Sequence, residues 1–115
     1  MFRPNPHEQA TLAEFSTDGV KIWYDISIVP PGSDNCTSLA QCMNTTKKKG
    51  FNVPMSILPL QHRDDPAFNC VYVVCYDNKK TKCADGYQYP TDDVKTKSCP
   101  VNTDMLVTFC PELPP

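Results

Sequence analysis

The residues with the clearest chemistry in this 115-residue sequence are its seven cysteines. No two of them are separated by two residues, and His7 and His62 add no spacing typical of zinc ligands. Cysteines at this density without metal-ligand spacing indicate disulfides and an oxidising compartment. We therefore expect no metal and no cofactor. The cysteines are Cys36, Cys42, Cys70, Cys75, Cys83, Cys99 and Cys110.

Spacing limits how these cysteines can pair. Cys70 and Cys75 are five residues apart in a predicted strand, so they point to opposite faces and should not bond each other. Six cysteines allow 15 pairings, so spacing alone leaves the pattern open. The pairs that fit are Cys75 with Cys83 in a short hairpin, Cys70 with Cys99 in a longer loop, and Cys36 with Cys42 as a local link, with Cys110 left over.

Other chemical candidates are weaker. His62 lies near Asp64 and Asp65, but a polar loop explains this group better than a metal or acid–base site. The basic run 47–49 is typical of a solvated loop. The sequence has no Gly-x-Ser-x-Gly motif and no phosphate-binding loop. Asn35 and Asn44 begin glycosylation sequons, which are compatible with secretion.

Composition excludes several function classes. Eleven basic against thirteen acidic residues give a net charge of -2, so nucleic acid is not an expected partner. The apolar runs are too short for a transmembrane segment. The polar start 1–9 has no apolar core, so it is not a signal peptide. We nevertheless expect an extracellular location, with the chain being part of a longer or truncated product.

The elements that must position these residues are short strands. Twelve prolines and four glycines disfavour long helices. In the segment 21–29, one face carries Ile22, Tyr24, Ile26 and Ile28, and the other carries Trp23, Asp25, Ser27 and Val29. Proline interrupts the segment 51–60 at Pro54 and Pro59, which predicts an edge strand or an extended segment. The remaining predicted strands are 12–15, 70–76 and 105–110, with a loop or disulfide-pinned excursion over 32–50.

Five segments, in order, resemble the thaumatin-like family, the osmotin and pathogenesis-related group. They are TLAEFS (11–16), WYDIS (23–27), GFNVPM (50–55), CADGYQY (83–89) with two aspartates following, and VTFCP (107–111).

The resemblance implies an all-β, disulfide-stapled thaumatin-like β-sandwich in partial or reduced form. Residues 1–115 would correspond to the C-terminal portion of the family fold, with 32–49 as an inserted loop. The family's disulfide-rich second domain would be almost absent between Cys75 and Cys83. The family pattern also implies the pairs Cys70–Cys99 and Cys75–Cys83. It leaves Cys110 unpaired, because the matching partner lies near the family's N-terminus.

The resemblance further implies an acidic cleft. Glu14, Asp25 and Asp92 match three of its acidic positions, with Asp93 as a one-residue alternative to Asp92. A middle aspartate has no counterpart near Ile22. Arg3 is the candidate for the arginine of the cleft.

Carboxylates beside aromatic rings suit carbohydrate, because carboxylates accept hydrogen bonds from hydroxyls and a ring offers an apolar face. Trp23 is the first candidate ring, and Tyr87 and Tyr89 are two more, each equally consistent with a core position. We expect a secreted defence or host–microbe protein that binds cell-wall β-1,3-glucan. Glu14 and Asp25 are the candidate catalytic pair of an enzyme that is at most a weak endo-β-1,3-glucanase. Alternatively, these two are solvated carboxylates at strand ends.

A different hypothesis is a non-enzymatic effector, inhibitor or surface ligand that contacts a protein through 32–49, because new functions tend to arise on loops. A half-sandwich would also leave sheet edges unpaired and an apolar face open, which predicts marginal stability.

Overall fold

Two antiparallel sheets of three strands each form the fold. The computed structural model describes residues 10–48, 50–76 and 83–111. The sheets have the strand orders β1-β2-β5 and β4-β3-β6. The predicted all-β, disulfide-stapled fold is therefore confirmed. The elements are β1 (Leu12–Thr17), β2 (Lys21–Ser27), α1 (Leu39–Thr46), β3 (Met55–Pro59), β4 (Val73–Cys75), a short 3-10 helix (Asp93–Lys95), β5 (Lys97–Pro100) and β6 (Met105–Phe109).

A tight turn joins β1 to β2 and fixes their register. The Asp18 carboxylate accepts hydrogen bonds from the backbone N–H groups of Val20 and Lys21 at 2.9 and 2.8 Å. These bonds favour the ionised form and lower the pKa of Asp18. Gly19 has a φ of +87°, which glycine adopts without a steric penalty. The turn thus sets Glu14 directly opposite Asp25.

The core lies between the two sheets and draws most heavily on β2. Tyr24 and Ile26 of β2, and Ile28 just after the strand, are fully buried and pack in one cluster with Met55 and Ile57 of β3. The intervening residues of β2 face the other side of the sheet, as the alternation predicts. Paired disulfide cysteines complete the core, at positions Cys70, Cys75, Cys83 and Cys99.

Tyr24 connects this core to the segment that precedes β4. Its hydroxyl donates to the carbonyl oxygen of Val71 at 2.6 Å and accepts from the N–H of the same residue at 2.8 Å. Burial raises the pKa of Tyr24 to about 12. One buried side chain therefore satisfies both backbone groups of a residue that is itself exposed.

Three disulfides staple the described residues. Cys36–Cys42 closes a local loop, Cys70–Cys99 joins the segment before β4 to β5, and Cys75–Cys83 joins β4 to the loop that follows it. Cys110 is free and exposed at the end of β6. Its backbone N–H donates to the carbonyl oxygen of Pro54 at 2.7 Å, which anchors the strand end.

The expectation that the segment 51–60 supplies an edge strand is wrong, because β3 is the central strand of its sheet. It pairs with β4 on one side and with β6 on the other. Pro54 precedes the strand and Pro59 is its last residue. Neither proline occupies an interior position where the missing N–H would interrupt the hydrogen-bond ladder.

Part of the expected 32–50 excursion is a helix. Ser38 is the N-cap of α1 and accepts from the N–H of Gln41 at 3.1 Å, and Lys47 ends the helix with a φ of 59°. Only Cys42 of α1 is buried. The Cys36–Cys42 disulfide links the helix to the segment before it. Strand β5 (Lys97–Pro100) was also not predicted, since its sequence KSCP has no apolar alternation.

An apolar groove of about 440 Å³ remains open beside the core, as expected for a reduced sandwich. β1 and β6 are both terminal strands of their sheets, so each has one edge without a strand partner among the described residues. The groove is lined by Phe15, Ser16, Thr17, Ile22, Met105 and Val107.

We predict that Tyr24→Phe lowers the free energy of unfolding by about 1–2 kcal/mol, because it removes the hydrogen bonds to Val71 while keeping the ring. Tyr72→Phe is the matched control, since Tyr72 is 43% exposed. Urea unfolding of both variants measures the difference. A Tyr24→Phe midpoint equal to that of Tyr72→Phe would contradict the role assigned to the hydroxyl.

We also predict that protein from an oxidising host contains the three disulfides described above and one thiol that reacts with a labelling reagent. Peptide mapping by mass spectrometry without reduction tests this pattern. The label should appear on Cys110. A label on any of the other six cysteines, or a scrambled set of pairs, would contradict it.

Candidate functional site

A cleft of about 760 Å³ lies on the face of the β1-β2-β5 sheet that points away from the core. The outward residues of β2 form its floor, and β1 and the 83–96 region form its sides. The lining residues are Leu12, Glu14, Phe15, Ser16, Trp23, Asp25, Ser27, Val29, Ser33, Tyr87, Pro90, Asp93 and Thr96. No lysine, arginine or histidine is among them, so the cleft as described is acidic.

Glu14 and Asp25 stand at the centre of this cleft. They are direct cross-strand partners in the register of β1 and β2. Residues opposite each other on neighbouring strands have Cβ atoms about 4.5–5.5 Å apart, so the two carboxyl groups are close enough to share a hydrogen bond. The Oδ1 atom of Asp25 is buried and has no hydrogen-bond partner among the described residues. The pair therefore has one buried oxygen atom, Oδ1 of Asp25, that is available to accept a hydrogen bond.

The Asp25 carboxyl holds its proton unusually strongly. Burial is the main cause and raises its pKa from 3.8 to about 8. The hydrogen bond to Glu14 and the negative charges of Glu14 and Asp93 add to this effect. Asp25 thus keeps its proton at pH values at which an ordinary aspartate is ionised.

Tyr87 forms the wall opposite β1. Its hydroxyl donates to Oδ1 of Asp93 at 2.9 Å and also bonds the hydroxyl of Thr96. Burial raises the pKa of Tyr87 to about 12. Asp93 therefore faces the carboxyl pair while being held by the tyrosine.

The loop that carries Tyr87 is fixed to β2 by backbone hydrogen bonds. The N–H of Tyr87 donates to Ile26 at 2.7 Å, and the N–H of Ile28 donates to Tyr87 at 2.9 Å. Gly86 allows this close approach, because a Cβ atom there would lie 2.6 Å from Sγ of Cys83 and 3.0 Å from the carbonyl oxygen of Ile26. The Cys75–Cys83 disulfide anchors the start of the same loop.

Trp23 offers an aromatic surface to the cleft. The ammonium group of Lys21 lies 5.9 Å from the centre of the Trp23 ring and 5.8 Å from that of Phe68. Such cation–π contacts orient the ring. Trp23 is thus held at the edge of the acidic floor.

The structure places the other predicted site residues differently. Asp93, the one-residue alternative, lines the cleft, whereas Asp92 is 5% exposed and bonds Nζ of Lys95 at 2.9 Å. Tyr87 lines the cleft and Tyr89 does not. Arg3 lies outside the described residues.

Sequence reasoning missed one contact that sets the position of β1. Thr11 donates from its N–H to Oδ1 of Asn52 at 2.9 Å, and its hydroxyl accepts from the N–H of Asn52 and donates to Val53. These residues belong to the segments TLAEFS and GFNVPM, so the signal was present in the sequence as two motifs. Their contact joins the start of β1 to the segment before β3.

The remaining candidates lie away from the cleft. Asn35 and Asn44 are exposed, on the excursion that carries α1, and so are Lys47 and Lys48. His62 bonds the hydroxyl of Thr103 at 2.8 Å, which is a contact within the loops. Within residues 10–48, 50–76 and 83–111, no group of three potential metal ligands occurs. Among the helices described, none is long and apolar enough to cross a membrane.

We predict that Gly86→Ala displaces the loop from β2 and lowers the free energy of unfolding by about 1–3 kcal/mol, because the added methyl group meets the disulfide and a backbone carbonyl. Ala84→Ser is the control, since Ala84 is exposed in the same loop. Chemical unfolding followed by the fluorescence of the single tryptophan reports the change beside the cleft. Equal stability of the two variants would refute the close packing.

Comparison with known proteins shows which proteins this chain is similar to. No family model matches the chain. A thaumatin-like protein from Oryza sativa subsp. japonica is 30% identical over 88% of the chain and 40% of its own length. Pathogenesis-related thaumatin-like protein 3.8 from Cryptomeria japonica is 32% identical over 89% of the chain and 54% of its own length. A thaumatin-like protein from Actinidia deliciosa is 30% identical over 88% of the chain and 54% of its own length.

The matches thus cover nearly the whole chain, whereas the chain spans about half the length of the curated relatives it matches. The chain is therefore a relative of the thaumatin-like proteins, with an all-β fold that corresponds to part of theirs.

Proposed function

We propose that this chain is a secreted defence or host–microbe interaction protein that binds β-1,3-glucan of cell walls in its acidic cleft. The observation that carries the proposal is the cleft itself, in which Trp23 stands beside the carboxyl groups of Glu14, Asp25 and Asp93. Four of the relatives have pathogenesis-related in their names together with thaumatin-like, which supports a role in defence. The three disulfides support an oxidising, extracellular location.

The chemistry of the cleft suits a neutral, hydroxyl-rich ligand. Sugar hydroxyls both donate and accept hydrogen bonds, and the Glu14–Asp25 pair provides both functions when it holds one proton. The unpartnered Oδ1 atom of Asp25 gives such a ligand a buried acceptor. The apolar face of a sugar ring packs against an indole, which is the role we propose for Trp23.

The same geometry favours binding over hydrolysis. Glycosidase carboxyl groups stand about 5 Å apart in retaining enzymes and further apart in inverting enzymes, to leave room for the sugar or a water molecule. Two carboxyl groups that bond each other directly, as the opposed Glu14 and Asp25 can, have oxygen atoms about 2.5–3.0 Å apart, which leaves no room for either. We therefore propose these two residues as sugar-binding groups and expect little or no release of sugar.

We predict that the protein co-sediments with insoluble β-1,3-glucan and that the fluorescence of Trp23 changes when a soluble β-1,3-glucan is added. The double variant Glu14→Gln/Asp25→Asn should bind at least about tenfold more weakly, because it loses charge-assisted hydrogen bonds to the sugar. Asp64→Asn is the control, since Asp64 is an exposed acid in a loop outside the cleft. A β-1,4-glucan serves as the control polysaccharide.

Two outcomes would overturn the proposal. One is failure of the unmodified protein to bind β-1,3-glucan, and the other is equal binding by the double variant. The alternative of a protein-binding module is supported by the exposed helix α1, which the Cys36–Cys42 disulfide fixes in place. Binding to a cell surface that survives the double variant but is lost with Lys47→Glu/Lys48→Glu would favour that alternative.

A further inference from the structure

The hydrogen bond between Glu14 and Asp25 requires a proton. Two ionised carboxylates are both acceptors, so neither can donate to the other. Two like charges directly opposite each other on neighbouring strands also destabilise the pairing. Two carboxyl groups placed directly opposite each other are therefore most stable when the pair holds a proton, and the hydrogen bond that this proton makes links β1 to β2 through side chains as well as backbone.

Because β1 is an outer strand, its attachment to the sheet is sensitive to the loss of this link. β1 is the outer strand of its sheet, and β2 is its strand partner among the described residues. Outer strands open more readily than central ones, because fewer interactions hold them. Weakening the side-chain link therefore affects β1 first, and with it the side of the cleft that Glu14 and Leu12 line.

The surrounding groups do not compensate a second negative charge. The 3-10 helix contributes Asp93, and the 83–90 loop contributes the neutral Tyr87. Lys95 is committed to Asp92 and to the carbonyl oxygen of Gly86, at 2.9 and 3.1 Å. Lys97 of β5 stands opposite Tyr24 and so belongs to the other face of the sheet from Asp25.

We propose that the proton shared by Glu14 and Asp25 is a pH-sensitive lock, which fastens β1 to β2 and whose loss to solvent base in mildly alkaline solution loosens one side of the cleft. The lock itself rests on the geometry of the described residues. Only its consequence for glucan binding rests on the proposed function.

The sign of the pH effect follows from the raised pKa of Asp25. Its pKa is about 8 in the folded protein, against an ordinary value of 3.8. Between these values, the folded protein holds a proton that the unfolded chain has released. The stabilisation is therefore complete below about pH 4, declines as the pH rises, and is lost once the pH passes 8.

Hydrogen exchange of the β1 amides tests the lock without any ligand. The unmodified protein is measured at pH 5, 6.5, 8 and 9, and the intrinsic pH dependence of exchange is removed. We expect the opening of residues 12–17 to increase by up to about tenfold per pH unit from 5 to 8 and to level off above 8. Residues 55–59 of the central strand β3 provide the internal reference.

Two isosteric variants separate the lock from general alkaline loosening. Asp25→Asn removes the buried titrating carboxyl and places an amide N–H opposite Glu14, so the opening of β1 should be independent of pH in this variant. Glu14→Gln keeps Asp25, whose burial still raises its pKa, but the new amide N–H can donate to the ionised form of Asp25. The pH dependence of Glu14→Gln should therefore be shallower than that of the unmodified protein. Asp64→Asn should follow the unmodified protein. A flat profile in the unmodified protein, or the same slope in all four proteins, would overturn the lock.

Glucan binding measured at pH 6.5 and 9 separates the lock from the proposed function. Binding that weakens at pH 9 along with the protection of β1 supports both. A pH-dependent β1 with no glucan binding at any pH supports the lock and overturns the function. Equal glucan binding at both pH values with a flat exchange profile overturns the lock and leaves the function standing.

Discussion

The alternation of side chains along β2 is the constraint on which the rest of this protein depends. One face of the strand supplies Tyr24 and Ile26 to the core, and the other supplies Trp23 and Asp25 to the cleft. A shift of one residue in register would exchange these two sets. A change in the register of β2 would therefore disrupt the cleft and the core together. The elements around β2 act mainly to keep the register of this strand.

Those elements act from different directions. The Asp18 turn fixes β1 against one edge of β2, and the Tyr87 loop adds backbone hydrogen bonds to Ile26 and Ile28. The hydroxyl of Tyr24 reaches across the core to the backbone of Val71. The Cys70–Cys99 disulfide holds the segment before β4, and the Cys75–Cys83 disulfide holds the start of the loop that carries Tyr87. In a domain with a small core, such covalent links replace part of the buried apolar area that a larger sandwich provides.

Much of this arrangement was accessible from the sequence, because it depends on local patterns. The alternation in 21–29 placed Trp23 and Asp25 together on one face, and the resemblance supplied Glu14 on the neighbouring strand. The central position of β3 was not accessible, because proline in a strand predicts an edge and only the structure shows that Pro59 ends the strand. Helix α1 depends on the capping of Ser38, and β5 on pairing with β2 rather than on its own sequence. The contacts that favour α1 are local, whereas β5 has little strand propensity of its own and was decided by its tertiary pairing with β2.

The choice between Asp92 and Asp93 shows where motif reasoning ends. The two residues are adjacent and chemically identical, so a one-residue ambiguity leaves both as candidates. The short 3-10 helix decides between them, because it directs Asp93 to Tyr87 and the cleft while Asp92 bonds Lys95 and the N–H of Gln88.

The charge of the cleft follows from this choice. A carboxylate at Asp93 faces the Glu14–Asp25 pair and adds to the cost of ionising it, whereas Asp92 is neutralised by its lysine. The orientation of the short 3-10 helix, which directs Asp93 rather than Asp92 into the cleft, thus contributes to the raised pKa of Asp25. It thereby affects whether the cleft binds a ligand with that carboxyl group protonated.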